Sequence, residues 1–235
     1  MATSASNKRR ALVTGTSSGI GLAIALQLLD DGWEVTGFDI ATATLDHPSF
    51  SPVQVDLSDG AAIDAATSAL GPVQALVHAA GVLRVAPLGA LRAEDGQRMW
   101  QLHVDAASRL ANRVVPAMVA AGHGRVVLLG SRVAVGSPGR SQYAASKAAL
   151  IAFARSWAAE VVASGVTVNV VSPAATATPM LGDPSRAAAS PVLPPIGRLI
   201  EPREVASLVG YLLSPAAAAI TGQDIRICGG ASLPR

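Results

Sequence analysis

Short apolar runs alternate with longer alanine-rich stretches of helical period, and this alternation restricts the folds open to the chain. The short runs are continuously apolar, which is typical of strands in a parallel sheet covered on both faces. A regular β–α order gives a doubly wound sheet with right-handed crossovers. Seven strands are expected, at Ala11–Thr14, Glu34–Phe38, Pro52–Val55, Gln74–Val77, Arg125–Leu129, Val166–Val171 and Asp224–Ile227, with helices at about 19–31, 60–70, 94–121, 141–163 and 202–213.

The composition supports one domain. The chain has 235 residues, of which 50% are hydrophobic and 14% charged, and that supplies one α/β domain with a large core. No stretch has the composition of a linker. We therefore predict a single α/β domain over residues 10–235, a doubly wound parallel sheet of seven strands with helices on both faces. Residues 1–9 are small, polar and then basic, and are expected to form a disordered tail.

Charge and residue usage exclude several classes of partner. A net charge of +2 and an aromatic content of 3% argue against nucleic-acid binding, which needs a basic field and stacking rings. No segment reaches the roughly 20 apolar residues of a membrane helix. The single cysteine, Cys228, cannot form an intramolecular disulfide, and no Cys/His cluster has zinc spacing. We expect a cytoplasmic protein with no metal site and no membrane or nucleic-acid partner.

One segment interrupts the β–α rhythm. From Pro173 to Pro202 the chain carries seven prolines and two glycines. A long irregular segment within a compact domain is usually a functional lid or a disordered loop. This one follows the carboxyl end of a strand, where ligands bind in open α/β sheets. We therefore predict a substrate lid over about residues 174–200.

A glycine-rich loop joins the first strand to the first helix. Glycines let the backbone turn sharply and approach a pyrophosphate, and the helix amino end supplies N–H groups and partial positive charge. The spacing is G-x-x-x-G-x-G rather than the commoner G-x-G-x-x-G, so the motif alone is also compatible with a simple turn. The candidate phosphate-binding residues are Gly15, Ser17, Ser18, Gly19, Ile20 and Gly21.

Asp39 closes the second predicted strand, where a carboxylate accepts hydrogen bonds from the adenosine ribose hydroxyls. A 2′-phosphate would lie against this negative charge, and no Arg or Lys adjoins it in the sequence. That favours NAD over NADP as the cofactor. Asp56 ends the third strand and is expected, with Leu57, to contact the adenine; a turn or a helix cap is the alternative role for the carboxylate.

Tyr143 and Lys147 stand four residues apart in a helical stretch, which places them on one face, one turn apart. A phenol has a pKa near 10, but a neighbouring ammonium stabilises the phenolate and lowers that value. The pair is thereby usable as an acid/base at neutral pH. Ser131 follows the fifth strand and adds a hydroxyl able to hold a carbonyl or alcohol oxygen.

Taken together, these motifs resemble the short-chain dehydrogenases/reductases, from about Arg10 to Gly230. The resemblance implies a Rossmann-like fold and hydride transfer between nicotinamide C4 and a substrate carbon, while Tyr143 exchanges a proton with the substrate oxygen. It also implies that Lys147 binds the nicotinamide ribose and that the enzyme is a homotetramer assembled through the helices around 94–121 and 141–163. Further cofactor contacts implied by the family are Ala79, Ala80, Gly81, Pro173, Thr176 and Thr178, and the run Asn169-Val170-Val171-Ser172-Pro173 matches the family motif.

The chain departs from the family pattern at several positions. His103 stands where the family has an asparagine in its proton relay, and His78 where the segment after the fourth strand usually begins with asparagine. Ala174 and Cys228 replace a glycine and an acidic residue. We consider two roles for His103: it relays protons between Lys147 and solvent, since imidazole titrates near neutrality, or it is a buried ring that hydrogen-bonds backbone near Gly81.

Three functions are compatible with these residues. Segments such as Ala79–Arg84 resemble the bacterial dihydro-dihydroxybenzoate dehydrogenases, so the leading hypothesis is NAD-linked oxidation of a secondary alcohol, including a cyclic dihydrodiol, or the reverse reduction. Arg84 could then hold a substrate carboxylate, or it is simply a solvated arginine. The second hypothesis is an oxoacyl-thioester reductase, which would more naturally use NADPH. The third is a nucleotide-binding regulatory protein without turnover.

Overall fold

The computed structural model describes residues 8–182 and 192–234. Their seven strands form one parallel sheet in the order β3-β2-β1-β4-β5-β6-β7, which confirms the predicted doubly wound fold. The strands are β1 (Arg10–Thr14), β2 (Glu34–Asp39), β3 (Phe50–Gln54), β4 (Ala75–His78), β5 (Gly124–Leu129), β6 (Val166–Pro173) and β7 (Asp224–Ile227). The α-helices are α1 (Gly19–Asp30), α2 (Gly60–Ser68), α3 (Ala93–Trp100), α4 (Ala106–Ala120), α5 (Ser141–Val161) and α6 (Pro202–Leu213).

Helices cover both faces of the sheet because consecutive strand residues point to opposite sides. In β1, Ala11 and Val13 belong to one core cluster and Leu12 to the other. The first cluster packs α1 and α6 against the sheet, and the second packs α2, α4 and α5. The chain order reverses between β1 and β4, so a crevice for a ligand is expected at the carboxyl ends of these strands.

Two strands are shifted from their predicted positions. The strand predicted at Pro52–Val55 runs from Phe50 to Gln54, and the one predicted at Gln74–Val77 runs from Ala75 to His78. Pro52 lies inside β3, opposite Gly37, although proline has no N–H to donate. It is tolerated because β3 is an edge strand.

The helix predicted over 94–121 is continuous but not uniform. A π-helical turn, Gln101–Asp105, separates α3 from α4. Apolar periodicity does not reveal such a turn, since it inserts a residue without changing the residue types. Single π turns within helices are frequent at functional sites. The helices predicted at 60–70 and 141–163 end at Ser68 and Val161, and a 3-10 turn, Val162–Ser164, follows the second.

The predicted tail and lid lie partly outside the described residues. Of the tail, residues 1–7 are outside, whereas Arg9 packs its guanidinium 4.4 Å from the centre of the Trp33 ring. Of the lid, 183–191 are outside, and the two flanks are joined by a β-bridge between Thr176 and Ile200. A 3-10 turn, Pro179–Gly182, lies on the first flank. Within the described ranges no helix has the length and apolarity to cross a membrane.

Candidate active site

A cavity of about 880 Å³ opens at the carboxyl ends of β1, β4, β5 and β6. This volume is in the upper part of the range for ligand pockets, about 300–1,000 Å³. Most of the residues predicted to act at the site line it: Gly15, Ser18, Gly19, Ile20, Gly21, Asp39, Asp56, Leu57, Ala79, Ala80, Gly81, Ser131, Tyr143, Lys147, Pro173, Thr176 and Thr178. Ser17 and His103 do not line it.

The glycine-rich loop after β1, Gly15–Gly21, has the geometry that a bound pyrophosphate would require, and we call it the phosphate loop. Gly15 and Gly19 have φ angles of 76° and 56°, which favour glycine. A Cβ at Gly21 would lie 2.0 Å from the carbonyl oxygen of Gly15, so only glycine allows the helix to begin this close to the strand. Ser18 precedes α1 in an extended conformation and its side chain does not cap the helix. The first N–H groups of α1 are therefore available to a ligand in the cavity.

Two carboxylates define one end of the cavity. Asp39 accepts hydrogen bonds from the N–H groups of Ser17 and Ala41, both at 2.9 Å. Ser17 therefore orients the Asp39 carboxylate through this hydrogen bond and does not itself line the cavity. Asp56 accepts from the hydroxyl of Ser58 at 2.7 Å and its N–H at 2.8 Å. These bonds, together with nearby Arg98, hold the pKa of Asp56 below its usual value.

Tyr143 and Lys147 lie on one face of α5 and both reach the cavity. The Nζ atom of Lys147 is 5.8 Å from the centre of the Tyr143 ring and donates to the carbonyl oxygen of Leu129 at 2.8 Å. Burial of the amine lowers its pKa to about 7, because desolvation disfavours the charged form. Ser131 caps the 3-10 turn Arg132–Val135. Three of the predicted catalytic side chains, Ser131, Tyr143 and Lys147, therefore line the same cavity.

His103 lies against the ring of Tyr143. The Val82 N–H donates to its Nε2 at 3.0 Å, so in the neutral ring the proton is on Nδ1. That proton is directed to the hydroxyl of Ser146, 2.9 Å away, and Ser146 donates to the carbonyl oxygen of Tyr143 at 2.8 Å. Burial, and then Lys147, keeps the pKa of His103 well below its usual value. The geometry favours the buried, backbone-bonded role over the proton relay.

His78 holds the π-helical turn to the sheet. The hydroxyl of Thr14 accepts from the N–H groups of Ala79 and Ala80, both at 3.0 Å, and is left to donate to Nδ1 of His78, also at 3.0 Å. Nε2 of the neutral ring then donates to the carbonyl oxygen of Leu102 at 3.1 Å. Burial lowers the pKa of His78 to about 3. This carbonyl lies in the π-helical turn, so His78 satisfies a backbone acceptor next to His103.

The segment after β6 closes over the phosphate loop. A Cβ at Gly19 would lie 3.2 Å from the methyl group of Thr178, which places Thr178 directly over the loop. The Thr176 hydroxyl donates to the carbonyl oxygen of Ala174 at 3.0 Å. On the second flank, Val192 and Leu193 line the cavity although they are 75% and 56% exposed. The described flanks of the predicted lid thus form part of the cavity wall.

Sequence reasoning missed three arginines that line the cavity. They are Arg98, Arg132 and Arg140. Arg84, which was considered for a substrate carboxylate, is not in the lining, and its Nε is 3.8 Å from a carboxylate oxygen of Asp95. Arg132 directly follows Ser131 and Arg140 precedes Tyr143 by one helical turn, so proximity to the catalytic motifs was the available signal. Within residues 8–182 and 192–234, no group of His, Cys, Asp or Glu is arranged to hold a metal ion.

The chain is similar in sequence and in structure to several known reductases and dehydrogenases. The sequence profile of a family described as enoyl-(acyl carrier protein) reductase matches residues 15–232. The 3-oxoacyl-(acyl-carrier-protein) reductase FabG of Vibrio cholerae is 37% identical over 94% of this chain and 96% of its own length. A solved short chain dehydrogenase/reductase family protein has a TM-score of 0.85 at 34% identity, covering 94% of this chain and 96% of its own. The 3-ketoacyl-(acyl-carrier-protein) reductase of Brucella melitensis, solved with NADH, has a TM-score of 0.87 at 26% identity, covering 96% and 98%.

Proposed function

The chain belongs to the short-chain dehydrogenase/reductase family of oxidoreductases, and on that premise we propose that it reduces the 3-oxo group of an acyl thioester. The observation that carries the proposal is the convergence of Ser131, Tyr143 and Lys147 on the cavity that also contains the phosphate loop. The thioester substrate is supported by the relatives, which are named 3-oxoacyl-(acyl-carrier-protein) reductases. This is the second hypothesis drawn from the sequence, and the comparisons favour it over the first.

The residues act on the substrate oxygen. A bound nicotinamide dinucleotide supplies the hydride. The Ser131 hydroxyl holds the substrate carbonyl oxygen, and Tyr143 donates a proton to that oxygen as it gains charge. Lys147, in its protonated form, stabilises the tyrosinate left behind. His103 keeps the backbone of Tyr143 in place through Ser146.

We propose NAD(H) as the cofactor. Asp39 lies at the end of the cavity where the adenosine ribose would bind, and its carboxylate repels a 2′-phosphate. The phosphate loop fits the dinucleotide because glycine at position 21 lets α1 begin directly against the Gly15 backbone, which keeps the helix N–H groups close to the carboxyl end of β1, where a pyrophosphate would bind. Arg98 lies near Asp56 in the same end of the cavity, and a test of both cofactors is therefore part of the experiment below.

A second candidate is the oxidation of a secondary alcohol, including a cyclic dihydrodiol, with NAD. Asp39 favours it, because a dehydrogenase of that kind uses the unphosphorylated dinucleotide. The regulatory alternative has less support, since a protein without turnover has no need for Ser131, Tyr143 and Lys147 to share one cavity. We also propose a homotetramer assembled through α4 and α5, where the half-buried side chains of Phe153 and Trp157 stack on each other with ring centroids 4.5 Å apart.

A spectrophotometric assay at 340 nm tests the proposal. Acetoacetyl-CoA would be offered with NADH and with NADPH, and secondary alcohols and dihydrodiols with NAD and NADP. We expect reduction of the thioester, faster with NADH. Oxidation of alcohols without any thioester reduction would replace the proposal by the second candidate. Dinucleotide binding without turnover of any substrate would support the regulatory alternative.

A further inference from the structure

The carboxylates of the described cavity lining lie at one end of the cavity, together with Arg98. Among the described lining residues, the only two carboxylates are Asp39, which ends β2, and Asp56, which follows β3. Arg132 and Arg140 lie beyond β5. In the sheet order, β2 and β5 are three strand spacings apart, which corresponds to about 14 Å. The two arginines near the catalytic residues therefore face no carboxylate across the described wall.

Arg140 lines the cavity near Tyr143, and one of its guanidinium donors is not used within the described residues. It forms the N-cap of α5, and its carbonyl oxygen accepts from the N–H of Ala144 at 2.8 Å. Its Nε atom is buried and makes no hydrogen bond within the described structure. A buried donor without a partner is energetically costly, and such groups in native proteins call for an explanation such as a functional role. A bound acceptor would satisfy it.

Arg132 is positioned by a different part of the chain. It begins the 3-10 turn that Ser131 caps, and one Nη atom donates to the carbonyl oxygen of Ala231 at 3.3 Å. That bond uses one of the five guanidinium N–H groups. Arg84, by contrast, is next to Asp95 and outside the cavity. The cationic pair is thus specific to the wall that carries Ser131 and Tyr143.

We propose that Arg132 and Arg140 bind an oxyanion carried by the substrate, and so select anionic substrates over neutral ones. Planar guanidinium groups bind carboxylates and phosphates through two parallel hydrogen bonds. The inference depends on one part of the proposed function, namely that a substrate carbonyl is reduced next to Tyr143. The oxyanion is either a carboxylate close to the reacting carbonyl or a phosphate on the arm of a thioester, and the two sources are separable by experiment.

Steady-state kinetics with three substrates tests this inference. Acetoacetate carries a carboxylate, acetoacetyl-CoA carries phosphates on its arm, and the N-acetylcysteamine thioester of acetoacetate is neutral. We expect Arg140→Gln and Arg132→Gln each to lower kcat/KM for the preferred anionic substrate by about tenfold to a hundredfold, with little change for the neutral thioester. Arg140→Lys should retain part of the preference because it keeps the charge. Arg203→Gln, the same substitution at an exposed position of α6 outside the cavity lining, is the matched control and should behave as the wild type.

A binding measurement separates this inference from the proposed function. Titration of malonate and of inorganic phosphate into the NADH-loaded protein by calorimetry needs no turnover. Anion binding that is lost in Arg140→Gln supports the inference even if no thioester is reduced, in which case only the proposed function fails. Equal losses of kcat/KM for anionic and neutral substrates, or anion binding unaffected by both substitutions, would overturn the inference.

Discussion

The imidazole of His103 lies edge-on against the ring of Tyr143, with the ring centroids 5.6 Å apart and the planes at 85°. The same imidazole accepts from the N–H of Val82 and reaches the Tyr143 backbone through Ser146. Both ring nitrogens are therefore engaged in fixing the tyrosine. A Cβ at Gly81 would lie 3.1 Å from Nε2 of His103 and 3.5 Å from Nζ of Lys147, so the glycine separates the imidazole from the amine.

His103→Asn tests whether this imidazole positions Tyr143 or moves protons. A positioning role predicts that kcat falls by less than about tenfold, while the pH profile of kcat/KM keeps its shape. His103→Leu should be worse, because the Val82 N–H then loses its acceptor at a cost of about 1–3 kcal/mol in unfolding free energy. Loss of one limb of the wild-type pH profile in His103→Asn would instead establish the relay.

The buried amine of Lys147 predicts a pH dependence of stability. Its pKa is about 7 in the folded protein against 10.5 ordinarily, so between these values the unfolded chain binds more protons and stability rises with pH. Relative to Lys147→Met, the unfolding free energy of the wild type should increase from pH 7 to pH 10 by at most about 4 kcal/mol. Urea unfolding without cofactor measures this difference. Lys8→Met, at an exposed lysine, should show no such trend; parallel curves for Lys147→Met would refute the burial effect.

Two helical glycines form a matched pair for testing the phosphate loop. Gly21→Ala places a methyl group 2.0 Å from the Gly15 oxygen, whereas the nearest atoms to a Cβ at Gly210 are 3.7 Å away. We expect Gly21→Ala to lower Tm and abolish NADH binding. Gly210→Ala should leave binding intact and stabilise the protein by up to about 1 kcal/mol, since alanine favours the helix. Calorimetric NADH titration of both variants decides, and unchanged affinity in Gly21→Ala would contradict the assignment of the loop.

Asp39→Asn tests the cofactor preference. The amide keeps the size of the side chain but removes the charge that opposes a 2′-phosphate. The ratio of kcat/KM for NADH to that for NADPH should fall by about tenfold or more. Asp46→Asn, at an exposed position in the loop that follows β2, should leave the ratio unchanged. A ratio unaffected by Asp39→Asn would move the discrimination to another residue, and Arg98 would be the first to examine.

Much of the fold and of the site could be predicted from local patterns. Continuous apolar runs and glycine spacing located the strands and the phosphate loop, and the four-residue spacing of Tyr143 and Lys147 placed both side chains on the cavity. These features depend on neighbours in sequence, so the chain alone contains them. The cofactor contacts after β4 and β6 were predicted from the family resemblance, and the structure places them on the same cavity.

Features that depend on distant contacts were not predictable. In the π-helical turn between α3 and α4, the carbonyl group of Leu102 pairs with His78, which lies at the end of β4. No local sequence pattern encodes that pairing. The positions of two arginines also depend on distant contacts: Arg84 lies beside Asp95, whereas Arg140 lines the cavity. Because both residues are arginines, their type alone could not distinguish these two positions.

Single-turnover reduction of acetoacetyl-CoA by NADH-loaded wild type and Tyr143→Phe tests directly whether Tyr143 is the proton donor. The phenylalanine keeps the ring that packs on His103 and removes only the hydroxyl. We expect the rate of NADH oxidation to fall by about a hundredfold to ten-thousandfold, while the Kd for NADH changes little. Oxidation of NADH by Tyr143→Phe at the wild-type rate would show that Tyr143 is not the proton donor.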